Sequence, residues 1–460
     1  MKRSRFAVLA VVVTIALGAG ACSRSGSDSA DGGSTASTSA ADARCKGATL
    51  ESTEVGVTST EITVEVMADT GSPLAPGLFQ GNVDGMNAFA KYVNANGGIG
   101  CRQLKVEAWD SKLSPEESKN GIINACSTAL AMVGGNAIFN PDTSVLGNCA
   151  DKAGQPVGLP DFAALANDIN EACARTTWNV QVVAEPCNAD GTPPKGPRDL
   201  KTFQGANQYY VKQDPDLSGI WMVPGDLPTT IQSATYQVVG TQRSGIDVVP
   251  VKTASAASQA AFTEFVQQLR DMNGTYVYNG GQDTTMIKMR KETAAQGYDG
   301  VKVWACSLAC YTDKFKAEGA TVDNTYVWTQ FLPFEEADTN ANLKAYIDAV
   351  GGKPDSFGVQ AWQAGMVFKE TIDRIVAAQG PNAITRSSVI DTMMTVTDFT
   401  AGGMMAPKGP KDFSDCFVLM QIKDGKFTRV NGTRGQFVCD PNFVMTITGY
   451  DPAAEAAKIK

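Results

Sequence analysis

From about Val55 onward, two hydrophobic periods alternate along the chain. Ile62–Ala68 (ITVEVMA) alternates apolar and polar positions with β-branched residues and predicts a strand, followed by the turn-forming Thr70-Gly71-Ser72-Pro73. Met86, Phe89, Ala90 and Val93 then recur at helical spacing, and Asn96-Gly97-Gly98 supplies the stop. Leu104–Trp109 predicts a second strand. Ser114-Pro115-Glu116-Glu117 reads as a capping box with proline at the first helical position. It opens a helix whose apolar face is Ile122, Ile123, Cys126 and Leu130. Ala131–Val133 is a third predicted strand, ending in Gly134-Gly135. Strand and helix in strict alternation imply a parallel sheet with right-handed crossovers and helices on both faces.

A second run of the same kind follows the Pro/Gly/Lys-rich insertion Gly191–Pro197. Gly219–Val223, Ile246–Val251, Thr275–Tyr278 and Val301–Ala305 read as strands. Between them, Thr229–Val238, the face Ala260, Phe265, Val266 and Leu269, and a segment through Met286 and Met289 read as helices. The fold class is therefore α/β, with two Rossmann-like halves in one chain, which suits 460 residues.

The start of the chain bears on compartment. Lys2, Arg3 and Arg5 precede the apolar run Phe6–Leu17, which is too short to span a bilayer and reads as a signal-peptide core. Ala19-Gly20-Ala21-Cys22 resembles a lipoprotein cleavage site, with Ala19 standing where leucine is usual, so Cys22 is the expected lipidation site and 1–21 the signal peptide. An ordinary cleavage site nearby, with Cys22 a bystander, is the alternative. Residues 23–43 contain only Ser, Gly, Ala, Asp, Thr and Arg24, too little apolar surface to offset ordering entropy. They predict a flexible tether with an end-to-end distance of about 25 Å, and the tether region as a whole is set at 22–54.

Composition narrows the chemistry. Lys and Arg number 39 against 48 Asp and Glu, a formal charge of −9, which argues against nucleic acid as a partner. Histidine is absent, removing Ser–His–Asp and Cys–His nucleophile activation and most zinc sites. Apart from Cys22 there are ten cysteines: Cys45, Cys101, Cys126, Cys149, Cys173, Cys187, Cys306, Cys310, Cys416 and Cys439. In an exported chain they predict disulfides rather than a metal cluster. Cys101 precedes the second strand and Cys126 ends the following helix, at the same end of a βα unit, so this pair is expected. Local spacing then gives Cys173–Cys187, Cys306–Cys310 and Cys416–Cys439, leaving Cys45–Cys149. Met393, Met394, Met404 and Met405 lack a periodic pairing and read as core or hinge packing rather than a metal box.

Several segments together resemble the branched-chain amino acid binding family of ABC-importer solute receptors. These are Glu61–Ala68 with Thr70-Gly71-Ser72-Pro73, the stretch Tyr92–Ile99 (YVNANGGI), and Asp110 closing the second strand. Further matches are Tyr278-Asn279-Gly280-Gly281 running to Arg290 and Gln296-Gly297, Trp362-Gln363-Ala364-Gly365, and Lys423–Phe427 (KDGKF). The likeness covers about 55 to 445 and implies the type I periplasmic fold, two lobes joined by three hinge crossings. The crossings are expected near Arg175–Val180, Gln330–Phe334 and Lys411–Phe413. Lobe 1 is then 55–175 with 335–412, lobe 2 is 176–334 with 413–452, and 453–460 is a C-terminal tail.

In such sheets, ligands bind beyond the carboxyl ends of the strands. The candidate loops are Thr70–Phe79, Gly134–Pro141, Leu159–Ala163, Asn279–Thr284 with Gln282, and Trp304–Tyr311. Free N–H groups after Gly134, around Asn136 and Ala137, would suit a carboxylate, unless this is an ordinary turn with Asn140 as a helix cap. Phe79, Phe139, Phe162 and Trp304 are candidates for stacking on an apolar or aromatic ligand. Asp161 is a candidate partner for a ligand cation or a helix cap. In amino acid binders, the resemblance implies Ser and Thr hydroxyls where this chain has Ala137, Ile138, Phe139 and Ala163. It also implies a carboxylate near Ser307 that is missing here, unless Asp161 or Asp283 replaces it. A free α-amino acid is therefore not the expected solute.

The reading that follows is a lipid-anchored, monomeric receptor on the outer face of the cell membrane, passing a small solute to an ABC permease and its ATPase. It needs no cofactor or metal. A ligand sensor of the same fold without transport is the alternative. A third, an extracytoplasmic hydrolase, lacks a G-x-S-x-G or convincing S-x-x-K site.

Overall fold

A computed structural model describes residues 40–181, 187–188, 190–226 and 228–459. The expected signal peptide, Cys22 and most of the tether lie outside the described residues. Five parallel strands form the first sheet: β1 (Glu61–Ala68), β2 (Gln103–Asp110), β3 (Ala131–Val133), β4 (Asp161–Leu165) and β5 (Thr177–Gln181), in the order β2-β1-β3-β4-β5. The connecting helices are Gln80–Ala95 and Pro115–Thr128, the latter capped by Ser114, whose side chain accepts from the Glu117 N–H. Its buried face is Ser118, Gly121, Ile122 and Ala125, while Ile123 is exposed and Leu130 lies beyond its end. Sequence spacing alone put the apolar stripe one residue off.

The chain then enters β6 (Arg198–Phe203) and the second lobe. Its eight-stranded sheet contains β7 (Ser218–Pro224), β8 (Asp247–Thr253), β9 (Tyr276–Asn279), β10 (Val303–Cys306) and β11 (Thr325–Thr329), all parallel. The antiparallel strands β12 (Cys416–Lys423), β13 (Lys426–Arg429) and β14 (Val438–Cys439) complete it, and β15 (Val444–Tyr450) pairs with β6 in a small third sheet. Between β11 and β12 the chain returns to the first sheet and lays the 24-residue helix Ser356–Gln379 across it. That helix crosses Gln80–Ala95 at two glycines. A Cβ on Gly85 would stand 2.3 Å from the Gly358 carbonyl oxygen, so the backbones meet with no side chain between them. Beside this contact Trp362 is buried against Phe89, Tyr92 and Tyr346.

The structure revises four expectations. The disulfides are Cys45–Cys101, Cys126–Cys149, Cys173–Cys187, Cys306–Cys310 and Cys416–Cys439. The expected Cys101–Cys126 and Cys45–Cys149 pairs do not form. Helix Pro115–Thr128 carries the chain from edge strand β2 past β1 to β3. Its end is therefore two strand spacings, about 10 Å, away from the start of β2. Second, the tether does not extend to residue 54. Residues 40–45 are helical, Cys45 is bonded to Cys101, and Thr53 donates to the Ile384 carbonyl. Third, the C-terminal segment is no free tail, because Pro452–Ala456 is a helix and Ile459 is buried beside Ala234 and Val238. Fourth, Arg175–Val180 overlaps β5 of the first sheet, so the passage into lobe 2 begins only after Gln181.

The two later passages lie beside each other and beside the end of β5. The Asn179 N–H donates to the Pro410 carbonyl at 3.0 Å, and the Leu332 N–H to the Met404 carbonyl at 2.9 Å. Gln330 reaches the Ser414 carbonyl at 3.5 Å.

Candidate functional site

The carboxyl ends of the strands in both sheets face a cavity of about 310 Å³. Leu78, Phe79, Ile138, Gln360 and Gln363 line it from lobe 1; Trp221, Tyr278, Gln282, Ser307 and Trp328 line it from lobe 2. Gln181, Gln330, Phe331, Lys408 and Ser414 form its floor along the passages.

Strand geometry decides which expected residues arrive here. Of the nine candidates, Phe79, Gln282 and Ser307 line the cavity; Asn136, Ala137, Phe139, Asp161, Phe162 and Trp304 do not. Asp161 and Phe162 stand inside β4, and Trp304 inside β10, so the loops beyond those strands begin several residues later than expected. Phe162 packs edge-on against Phe368 in the core, and Trp304 lies under the Arg290 guanidinium, 4.5 Å from the ring centre. Asp161 is buried and accepts from the Thr177 hydroxyl at 3.0 Å; burial pushes its pKa up to about 7. Ala137 is core, and Phe139 packs on the cluster of Phe79 and Ile138. Asn136 accepts from Asn167 at 2.6 Å, and it is Asn167 that reaches the cavity. Asp283 instead accepts from Thr312 and pairs with Lys314.

The Gly134 loop is not an anion cradle. The Gly134 N–H donates to the Phe162 carbonyl, and the Asn136 N–H to Met67. The Ile138 N–H donates to the Asp69 carboxylate at 2.7 Å, which also accepts from Ser111 and the Leu113 N–H. A carboxylate of the protein itself thus occupies the place predicted for a ligand's. Burial raises the Asp69 pKa against these three hydrogen bonds. Nor does Asn140 cap a helix there, since the next helix, Ser144–Asn148, starts after Thr143.

What remains is aromatic and amide-rich. Trp221 and Tyr278 stack face to face at 4.6 Å, and Phe79 meets Phe357 edge-on at 5.0 Å. The Cys306–Cys310 disulfide brackets Ser307, Leu308 and Ala309, all three lining the cavity. Lys408 is the one Lys, Arg, Asp or Glu among the described lining residues. Its Nζ donates to the Val180 carbonyl at 3.0 Å and lies 5.4 Å from the Trp178 ring centre. Burial lowers its pKa to about 7. Asp415, Cys416 and Cys439 cluster elsewhere, but both sulfurs are in a disulfide and offer no thiolate to a metal.

Two α/β lobes and a cavity between the strand ends match one architecture. The sequence profile of the periplasmic binding protein family covers residues 61–426. The chain belongs to this family. No curated protein sequence matches it. Solved structures similar in fold include a leucine binding protein from Thermotoga maritima, with 13% identity and TM-score 0.61, covering 83% of this chain and 99% of that one. A fatty acid ABC transporter substrate-binding protein from Thermomonospora curvata has 13% identity, TM-score 0.60 and coverage of 85% and 95%. A solute binding protein of an R. palustris ABC transporter, in complex with benzoate, has 16% identity, TM-score 0.59 and coverage of 83% and 98%. Members of this family are solute-binding proteins, not enzymes. No described helix of this periplasmic binding protein is long and apolar enough to cross a membrane.

The signals missed in the sequence were faint. Gln360 and Gln363 are polar positions, one helical turn apart, in a helix that also buries Ser356, Glu370, Thr371 and Asp373, so nothing sets them apart in sequence. Trp221 sits in an apolar strand run, GIWMV, where it reads as core.

Proposed function

We propose that this protein is a lipid-anchored, extracytoplasmic receptor that captures a small organic solute between its lobes and delivers it to an ABC importer. The carrying observation is the cavity between the strand ends, lined from both lobes. Such a site couples capture to closure, because a ligand touching both walls favours the closed arrangement. Family membership and the relatives' association with ABC transporters support the delivery step. Five disulfides suit an oxidising compartment, and Cys22 with its preceding small residues supports lipidation.

The solute is not a free α-amino acid. A buried zwitterion needs an anionic partner for its ammonium group, and among the described lining residues there is no Asp or Glu. Mass spectrometry of ligand released from freshly purified protein is the deciding experiment. A small molecule recovered in stoichiometric amount supports capture; micromolar binding of leucine, isoleucine, valine or phenylalanine by calorimetry would overturn the exclusion. Labelling with a lipid analogue, lost on Cys22→Ala, tests the anchor.

A further inference from the structure

Lys408 is 4% exposed, carries a cation in a wall otherwise made of amides, hydroxyls and apolar groups, and has no carboxylate partner among the described residues. The Val180 carbonyl and the Trp178 ring satisfy only part of its donor capacity. Next to Val180 in the chain, Gln181 accepts from the Gln360 amide. Three further buried atoms of the cavity wall have no hydrogen-bond partner among the described residues: Gln360 Oε1, Gln363 Nε2 and Trp221 Nε1. The residues bearing them are 1–3% exposed, and these atoms lie beneath the cavity surface rather than on it. A wall with one cation and no carboxylate is complementary to an anionic acceptor.

We propose that the solute is a monocarboxylate with an apolar or aromatic body, its anionic group held by Lys408. This rests on the reading of the protein as a solute binder. The body lies against the stacked Trp221–Tyr278 pair and the Phe79 side. The position differs from the Gly134 loop, whose anion place Asp69 already fills.

The arrangement has a pH signature. Beyond the solute, the charges acting on Lys408 are Asp412, which favours its protonated form, and Lys411, which opposes it. The element in contact with it, β5, contributes Trp178 and Val180, neither of them charged. With its pKa near 7 in the empty protein, Lys408 is charged below that pH. A carboxylate stabilises the charged form, so binding takes up a proton above pH 7. Affinity is then flat from about pH 6 to 7 and falls about tenfold per unit above it.

Calorimetry with three acid–amide pairs tests this: benzoate and benzamide, 3-phenylpropionate and its amide, octanoate and octanamide. At least one acid is expected to bind, its amide at least thirtyfold weaker, with the pH decline stated. Lys408→Arg should keep acid binding and remove the decline, and Lys408→Met should equalise acid and amide. The wild-type pH series stands even if a variant fails to fold. Amides binding as well as acids, a flat profile from pH 6 to 9, or no binding by any acid overturns the proposal. A neutral or zwitterionic molecule extracted from the purified protein would also overturn it while leaving solute capture intact. If no small molecule is recovered and none causes closure in scattering, capture itself fails.

Discussion

Arg386→Met probes what holds lobe 1 rigid behind the cleft. Arg386 is fully buried and follows Thr385, which caps the helix Arg386–Met393 in a capping box with Ser388. Its Nη2 donates to the Cys126 and Ala129 carbonyls at 2.7 and 2.6 Å and to Ala125 at 3.4 Å; its Nη1 donates to the Ala150 carbonyl. The guanidinium thus closes the open carboxyl end of helix Pro115–Thr128, where free carbonyls and the helix dipole both favour a cation. Methionine refills much of the aliphatic volume but leaves up to three carbonyls, those of Cys126, Ala129 and Ala150, unpaired, since Ala125 still accepts from the Ala129 N–H. Each such acceptor costs about 1–3 kcal/mol, partly offset because the desolvated guanidinium also disappears. A net loss of about 4 kcal/mol follows. At an unfolding entropy of about 0.9 kcal/mol/K for a chain this long, that lowers Tm by about 4 °C. Thermal and guanidinium unfolding followed by circular dichroism, disulfides intact, measures it. A loss below about 1 kcal/mol would refute the reasoning, since it would mean that water reaches those carbonyls once the side chain is gone.

Removing the Cys126–Cys149 bridge as a double serine variant should cost about 3 kcal/mol, the chain-entropy value for a separation of 23 residues. Non-reducing peptide mapping should recover Cys45–Cys101 and Cys126–Cys149, and a Cys101–Cys126 peptide would contradict the topology given above. Glu65 is buried, hydrogen-bonded to Asn124 at 2.7 Å, and burial raises its pKa to about 7. Because the unfolded chain ionises this group near pH 4.5, its contribution to stability falls as pH rises from about 4.5 to 7. Glu65→Gln should therefore stabilise by up to about 3 kcal/mol at pH 8 and by little at pH 4.5; equal urea midpoints at pH 8 would count against the buried carboxylate. Small-angle scattering should show compaction on addition of the recovered ligand, and superimposable curves would argue against hinge closure.

The local sequence determined the elements. Alternation in Ile62–Ala68, the Ser114 cap and the Gly134-Gly135 stop are properties of a few neighbouring residues, so strands and helices were legible, and their alternation implied the parallel sheets. The hinge, the disulfides and the cleft were harder because they depend on lateral order. Nothing near Cys101 or Cys126 records that the intervening helix passes over β1, yet that crossing assigns their partners. The same holds for the site. Phe162 and Trp304 carry the right chemistry for stacking, but each is part of a strand and is buried in the core. Lys408 and Gln363 look unremarkable in sequence, and only packing isolates one in a wall of uncharged groups and leaves an atom of the other unpartnered. Periodicity fixes which face of an element is apolar; which polar groups end up facing a shared cavity depends on residues far apart in the chain, and so only the tertiary structure decided it.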